Sequence, residues 1–358
     1  MRQCFSGRAP GRGRLVSRHP GSTGRRRPLL VSAAIGFVAL LTPTLVAAAP
    51  TAVTPVPATG LQKATRLPVA STGGWTAQSV LRKPFAPTSP WNTPLPPGAR
   101  FTPTATFAGD PGWMTSEKNS NPVYVARPTD PVLTFNVVRP NITRVFQMRG
   151  PADLTPAASK DLNLTIVDLG ANHAWDFFRV VRTGPTTFQA EAFGDADLDG
   201  TGFGFFPPGG GARVRAGVKA SGASWLGGLV TGENLATGGI DHALAIHVGN
   251  DDLFPAFVPP AVEFDGDGAS TYRGTLPMGT RLGIPPGTIA PPGLSPLGAM
   301  IFDALSVYGG YVVDRNAGFN LVADARTVPE SALAPVRQHW LPGGSDLSKI
   351  VPLLHIVG

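Results

Sequence analysis

The sequence predicts a mainly β fold, a β-sandwich or jelly roll with one or two short packed helices. Three observations point there. Gly (44 residues) and Pro (38 residues) are spread through the chain and divide it into short segments rather than long helices. Charged residues make up only 15% of it, against about 25% in ordinary soluble domains. Short runs rich in Val, Ile, Thr and aromatic residues recur between the Gly and Pro positions.

Taken in order, Pro122–Ala126, Val132–Val138, Thr165–Leu169, Trp175–Val181, Thr187–Phe193 and Ile240–Val248 read as strands. The turn Arg182-Thr183-Gly184-Pro185 joins the fourth and fifth into a hairpin, since a short Gly-containing loop reverses an extended chain. Thr231 opens a short helix with Glu233 in its first turn. A longer helix has Ser295 as N-cap and Pro296 at its first position, with Leu297, Met300, Ile301, Ala304, Leu305 and Tyr308 at helical spacing. Gly309 ends it, and Gly310–Asp314 is the next strand. The apolar stripe of this helix reads as core packed on a sheet.

Three segments follow from composition. Residues 1–49 carry eight arginines, no acid, an apolar stretch Leu29–Leu41 and the small residues Ala47, Ala48 and Ala49, the pattern of an export signal with a cleavage site. Arg26-Arg27 fits a twin-arginine signal, and the ordinary secretory route fits the same residues. Left uncleaved, this signal is the one expected membrane contact; Leu29–Val46 only just reaches spanning length and contains Pro43. Residues 50–84, rich in Pro, Thr and Ala, read as a linker on which Trp75 is the one large apolar group. Residues 85–358 read as a single β-rich domain. The expected location is therefore secreted or cell-surface.

Without residues 1–49, 22 basic residues face 23 acids, so the high isoelectric point belongs to the signal and is no argument for nucleic acid. Cys4, the single cysteine, also lies in the signal. The remainder has no disulfide, no thiolate metal site and no Cys nucleophile, and a domain of this size buries enough surface without disulfides. Zinc-protease H-E-x-x-H is absent, and Gly222-Ala223-Ser224-Trp225-Leu226 fails the G-x-S-x-G pattern at its last position. Gly200, Gly202 and Gly204 make no dinucleotide or phosphate-loop signature, so no nucleotide is expected.

Three groups carry candidate chemistry. Asp195, Asp197 and Asp199 before Gly200 match the first half of a calcium loop, although Phe206 stands where the bidentate Glu belongs. They read either as a Ca²⁺ site or as a polar turn after a strand, and Asp265-Gly266-Asp267-Gly268 has the same two readings. Asp176, flanked by Trp175 and Phe177, and Glu191 on the partner strand are the two carboxylates a glycosidase cleft needs, with Trp175 and Trp225 as platforms for a sugar ring. Solvated strand residues explain the same acids, because a one-residue slip of register moves a side chain to the other face. His242 shares strand spacing with Ile240, Leu244 and Ile246 and reads as a core histidine or a buried general base, while His247 points to the opposite face.

Several blocks resemble an uncharacterised family of exported, β-rich proteins of high-GC soil bacteria. They are Phe85 to Asn92, Trp175-Asp176-Phe177, Leu226 to Val230 running through Ile240 to Leu244, Met278 to Leu282 and Tyr308 to Asp314. Members of that family carry Glu where this chain has Asp176, and often a basic residue where it has Asp241. The resemblance implies one folded unit from about Phe85 to Asp324 and no particular reaction.

Export, the β pattern, the missing cofactor motifs and the tryptophans Trp113, Trp175, Trp225 and Trp340 beside acids lead to one expectation. The protein binds or acts on extracellular polysaccharide or cell-envelope glycan, with glycoside hydrolysis as the catalytic form. Asp176, Glu191 and His242 are then catalytic. The alternative is a non-catalytic glycan-binding or structural envelope protein.

Overall fold

A four-stranded sheet covered on both faces forms the middle of the fold, which is why its two central strands are buried almost throughout. Its strands run in the order Ala192–Asp197, His173–Phe178, Leu164–Asp168 and Val123–Val125. The structure is a computed structural model that describes residues 74–104, 107, 112–115, 120–139, 142–337 and 344–358. The chain divides at Pro57 and Ala58 into two units, and every described residue belongs to the second. Residues 1–49, read above as an export signal, most of the segment read as a linker, the Trp113 side chain, His339 and Trp340 lie outside the described residues.

Alternation along the middle sheet assigns its side chains to two cores. Leu164, Ile166, Trp175 and Phe177 face an outer four-stranded sheet and pack on Leu133, Phe135, Val137 and Phe188. Val123, Val167, Ala174 and Ala196 face the other way, toward a seven-stranded sheet that supplies Ala245, Tyr311, Val313 and Val322. The far face of that larger sheet carries Leu244, Ile246 and Val312, which are covered by the helix Pro296–Val307 through Leu297, Ile301, Ala304 and Leu305. The layers are thus helix, sheet, sheet, sheet. The β-rich fold with short helices is as expected.

Both anticipated helices form for the anticipated reasons. Ser295 accepts the Gly298 N–H at 3.1 Å, with Pro296 in the first turn. Gly309 follows at φ 68°, and a Cβ there would come within 2.4 Å of the Leu282 carbonyl oxygen. Thr231 and Asn234 form a capping box for Gly232–Thr237. The segment read as linker ends earlier than residue 84. Ala77–Arg82 is a helix closed by a Thr76–Ser79 capping box, and it buries Val80 completely.

The expected hairpin forms but is shared between two sheets. Val181–Arg182 pairs with Thr187–Ala190 in the outer sheet, while His173–Phe178 pairs with Ala192–Asp197 in the middle one. Arg179 at φ 54° breaks the first strand, and Glu191 interrupts the second opposite Phe178. Pairing is mixed. Leu244–Val248 runs parallel to Gly310–Arg315, and Val132–Arg139 runs parallel to Thr187–Ala190. No helix among the described residues is long and apolar enough to cross a membrane.

Candidate functional site

A polar cleft of about 870 Å³ opens where the ends of the larger sheet meet the middle sheet. Its walls come from separate elements. The turn after the middle sheet brings Arg213, Arg215 and Trp225; the loop 263–266 brings Glu263 and Asp265; the parallel strands bring His247 and Asp314; Asn163 closes the far side.

Two close backbone approaches build the Trp225 wall. A Cβ on Gly194 would stand 2.1 Å from the Gly217 Cα, and one on Gly217 would stand 2.2 Å from the Ala223 carbonyl oxygen. Glycine at both positions lets residues 215–225 lie directly on the strand Ala192–Asp197. Asp176, wholly buried on the neighbouring strand, then accepts the Trp225 N–H at 2.6 Å and the Thr165 hydroxyl at 2.5 Å. Burial raises the Asp176 pKa to about 6, against the lowering effect of those donors and of Lys219. Lys219 is itself fully buried. Its ammonium donates to the Gly227 carbonyl at 3.1 Å and lies 4.9 Å from the centre of the Trp225 ring. Burial lowers its pKa, while the charges of Asp314 and Asp176 oppose that shift.

The opposite wall depends on a β-bulge. Ile246 pairs with Val312, but the next pair is His247 with Asp314, so Val313 is skipped. The slip sets Asp314 beside His247 on the cleft. Burial first, then the charge of Asp265, holds the Asp314 pKa above the usual carboxylate range. Burial and Lys219 push His247 well below its ordinary pKa, so its ring is neutral near pH 7. Asp265 accepts the Tyr272 hydroxyl and lies 3.6 Å from the Arg315 guanidinium, which also binds Asp267 at 2.9 Å. Glu263 is gripped by Arg213 at 2.6 Å and Arg215 at 2.5 Å.

Three buried polar atoms of cleft-lining residues have no protein partner: Trp225 Nε1, His247 Nε2 and Asn163 Oδ1. Each belongs to a residue no more than 7% exposed. Buried groups of this kind are nearly always hydrogen-bonded.

The acids paired by sequence reasoning are not brought together. Asp176 is interior and serves as the anchor of the Trp225 loop. Glu191 is exposed at the corner of the split hairpin, bound to Arg179 at 3.0 Å. The strand break between them, invisible in the residue pattern, separates their environments. Trp175 packs in the core against the outer sheet, with its ring edge-on to His173, and is no sugar platform. His242 is fully buried away from the cleft, and its Nδ1 donates to the Ala243 carbonyl at 2.9 Å. Of the residues expected to be catalytic or to bind substrate, Trp225 alone lines the cleft.

The carboxylates of Asp197 and Asp199 are occupied by protein donors. Asn172 Nδ2 reaches Asp197 at 3.0 Å and Asp199 at 2.8 Å, and the Trp75 indole N–H binds Asp199 at 3.0 Å. Asp195 lies 3.8 Å from His173 Nδ1. Among the described residues, no group of three or more His, Cys, Asp or Glu side chains is arranged to hold a metal ion. From the second acidic turn, Asp265 and Gly266 line the cleft.

Sequence reasoning missed His247, Asp314, Asp265, Glu263 and the two arginines as one site. His247 was visible as facing away from His242, and Asp265 as part of an acidic turn. Their meeting was not, because it joins four separate stretches of chain. The chain matches no family model, no curated protein and no solved structure.

Proposed function

We propose that the protein is exported and that this cleft binds a segment of extracellular polysaccharide or cell-envelope glycan. The unpartnered trio of Trp225 Nε1, His247 Nε2 and Asn163 Oδ1 carries the reading. A buried indole donor, a neutral imidazole nitrogen and an amide oxygen present donors and acceptors at fixed places, which suits the mixed hydroxyls of a sugar. The cleft volume falls in the usual range for ligand sites. The surrounding charges are largely paired with each other, Glu263 with two arginines and Arg315 with Asp265 and Asp267, which favours a polyhydroxylated guest over a strongly charged one.

The test is titration of the purified protein with soluble plant and bacterial wall oligosaccharides, followed by Trp225→Phe on whichever binds. Phenylalanine keeps a ring and removes the N–H, so affinity should fall about fivefold, the worth of one hydrogen bond of roughly 1 kcal/mol. Absence of binding across the panel would remove this reading.

A further inference from the structure

The exposed phenylalanines among the described residues gather on two segments. Phe205 and Phe206 on one, and Phe254 and Phe257 on the other, are between 38% and 55% exposed. The two segments meet: the rings of Phe206 and Phe257 lie within 22° of parallel, with centroids 6.4 Å apart. Exposed apolar surface gathered in one place marks a site of contact.

The ribbon that carries Phe206 is also a wall of the cleft. Phe205 and Val214 exchange both backbone hydrogen bonds, at 2.9 Å and 2.8 Å, as an antiparallel pair. The next positions, Phe206 and Arg213, therefore come opposite each other on the other face of the ribbon. Arg213 lines the cleft and donates to Glu263 at 2.6 Å. A Cβ on Gly204 would meet the Val214 carbonyl oxygen at 2.4 Å and the Val262 side chain at 2.7 Å, so the ribbon lies directly on the segment that leads to Glu263. The aromatic pair is thus continuous with the cleft wall through Arg213.

The surroundings of the pair select its occupant. Arg213 and Arg215 are both bound to Glu263 and not presented to anionic lipid headgroups. Pro255, within the strand Leu253–Phe257, has no N–H, which weakens that edge for pairing with the strand of a second copy. A glycan chain suits both parts, since its hydroxyls match the polar cleft and the C–H faces of its rings match an aromatic surface. We propose that Phe206 and Phe257 form an aromatic subsite that continues the cleft and packs against a sugar ring of a longer chain. This rests on the glycan reading above, and it makes the preferred guest an oligosaccharide instead of a single sugar.

The experiment titrates the purified protein with cello-, xylo- and chito-oligosaccharides, each from disaccharide to hexasaccharide. In the series that binds, affinity should rise with length by about tenfold once the chain reaches the pair. Phe206→Ala and Phe257→Ala should each remove most of that gain, while disaccharide affinity and melting temperature stay close to wild type. Phe206→Tyr keeps the ring and should keep the gain. Trp225→Phe, in contrast, should weaken short and long chains alike. A gain with length that survives both alanine variants, or affinity independent of length, would overturn the subsite and leave the glycan reading intact. Self-association, or binding to phosphatidylglycerol vesicles, that Phe206→Ala abolishes without touching the length series would assign the pair to a second copy or to a membrane and overturn it as well. No binding in any series would remove both readings.

Discussion

The carboxylate of Asp176 accepts the backbone N–H of Trp225 at 2.6 Å, although the residues are 49 positions apart. This bond ties the middle sheet to the turn that lines the cleft. The acid that the sequence pattern offered as catalytic is a buried anchor for a tryptophan of the cleft wall.

Asp176 gives stability a pH signature of definite sign. Its folded pKa, about 6, lies above the ordinary 3.8. The native state therefore binds this proton more tightly than the unfolded chain. The stabilisation is full below pH 4 and is lost as pH rises through about 6. Asp176→Asn cannot titrate. Relative to wild type it should gain up to about 3 kcal/mol between pH 4 and 7, read by urea unfolding at several pH values. Parallel wild-type and mutant curves would contradict this.

Lys219 stands between Asp176 and Asp314, fully buried. Lys219→Met should cost about 3–5 kcal/mol at neutral pH, because it leaves buried carboxylates without their shared cation. The deficit should shrink below pH 6, where both acids take up protons. Chemical denaturation at pH 5 and pH 7.5 makes the comparison, and a deficit independent of pH would argue that packing alone is lost.

Gly217→Ala should be among the most damaging small changes. Its Cβ would meet the Ala223 carbonyl oxygen at 2.2 Å, the Ser224 Cα at 2.3 Å and Asp176 Oδ2 at 2.4 Å. The loop must lift from the strand, and a loss of at least about 3 kcal/mol is expected. At Gly266 a Cβ meets nothing within 4 Å, so Gly266→Ala should change stability by no more than about 0.5 kcal/mol. Melting temperatures of the two variants decide it.

The sequence by itself determined the local elements. Ser295, Pro296 and Gly309 delimit a helix because caps and φ preferences act within a few residues, and the Gly184 turn makes a hairpin for the same reason. The β-rich class followed from Gly and Pro spacing and from sparse charge. Tertiary structure alone decided the site. The positive φ of Arg179 divided the hairpin between two sheets and left Glu191 outside, far from the role its spacing suggested. The skipped Val313 placed Asp314 beside His247. Strand spacing specifies faces only once register is known, and one extra residue exchanges the faces. Register is set by the packing of three sheets whose strands are far apart in the chain, so the meeting of Trp225, His247, Asp265 and Asp314 is a property of the assembled core.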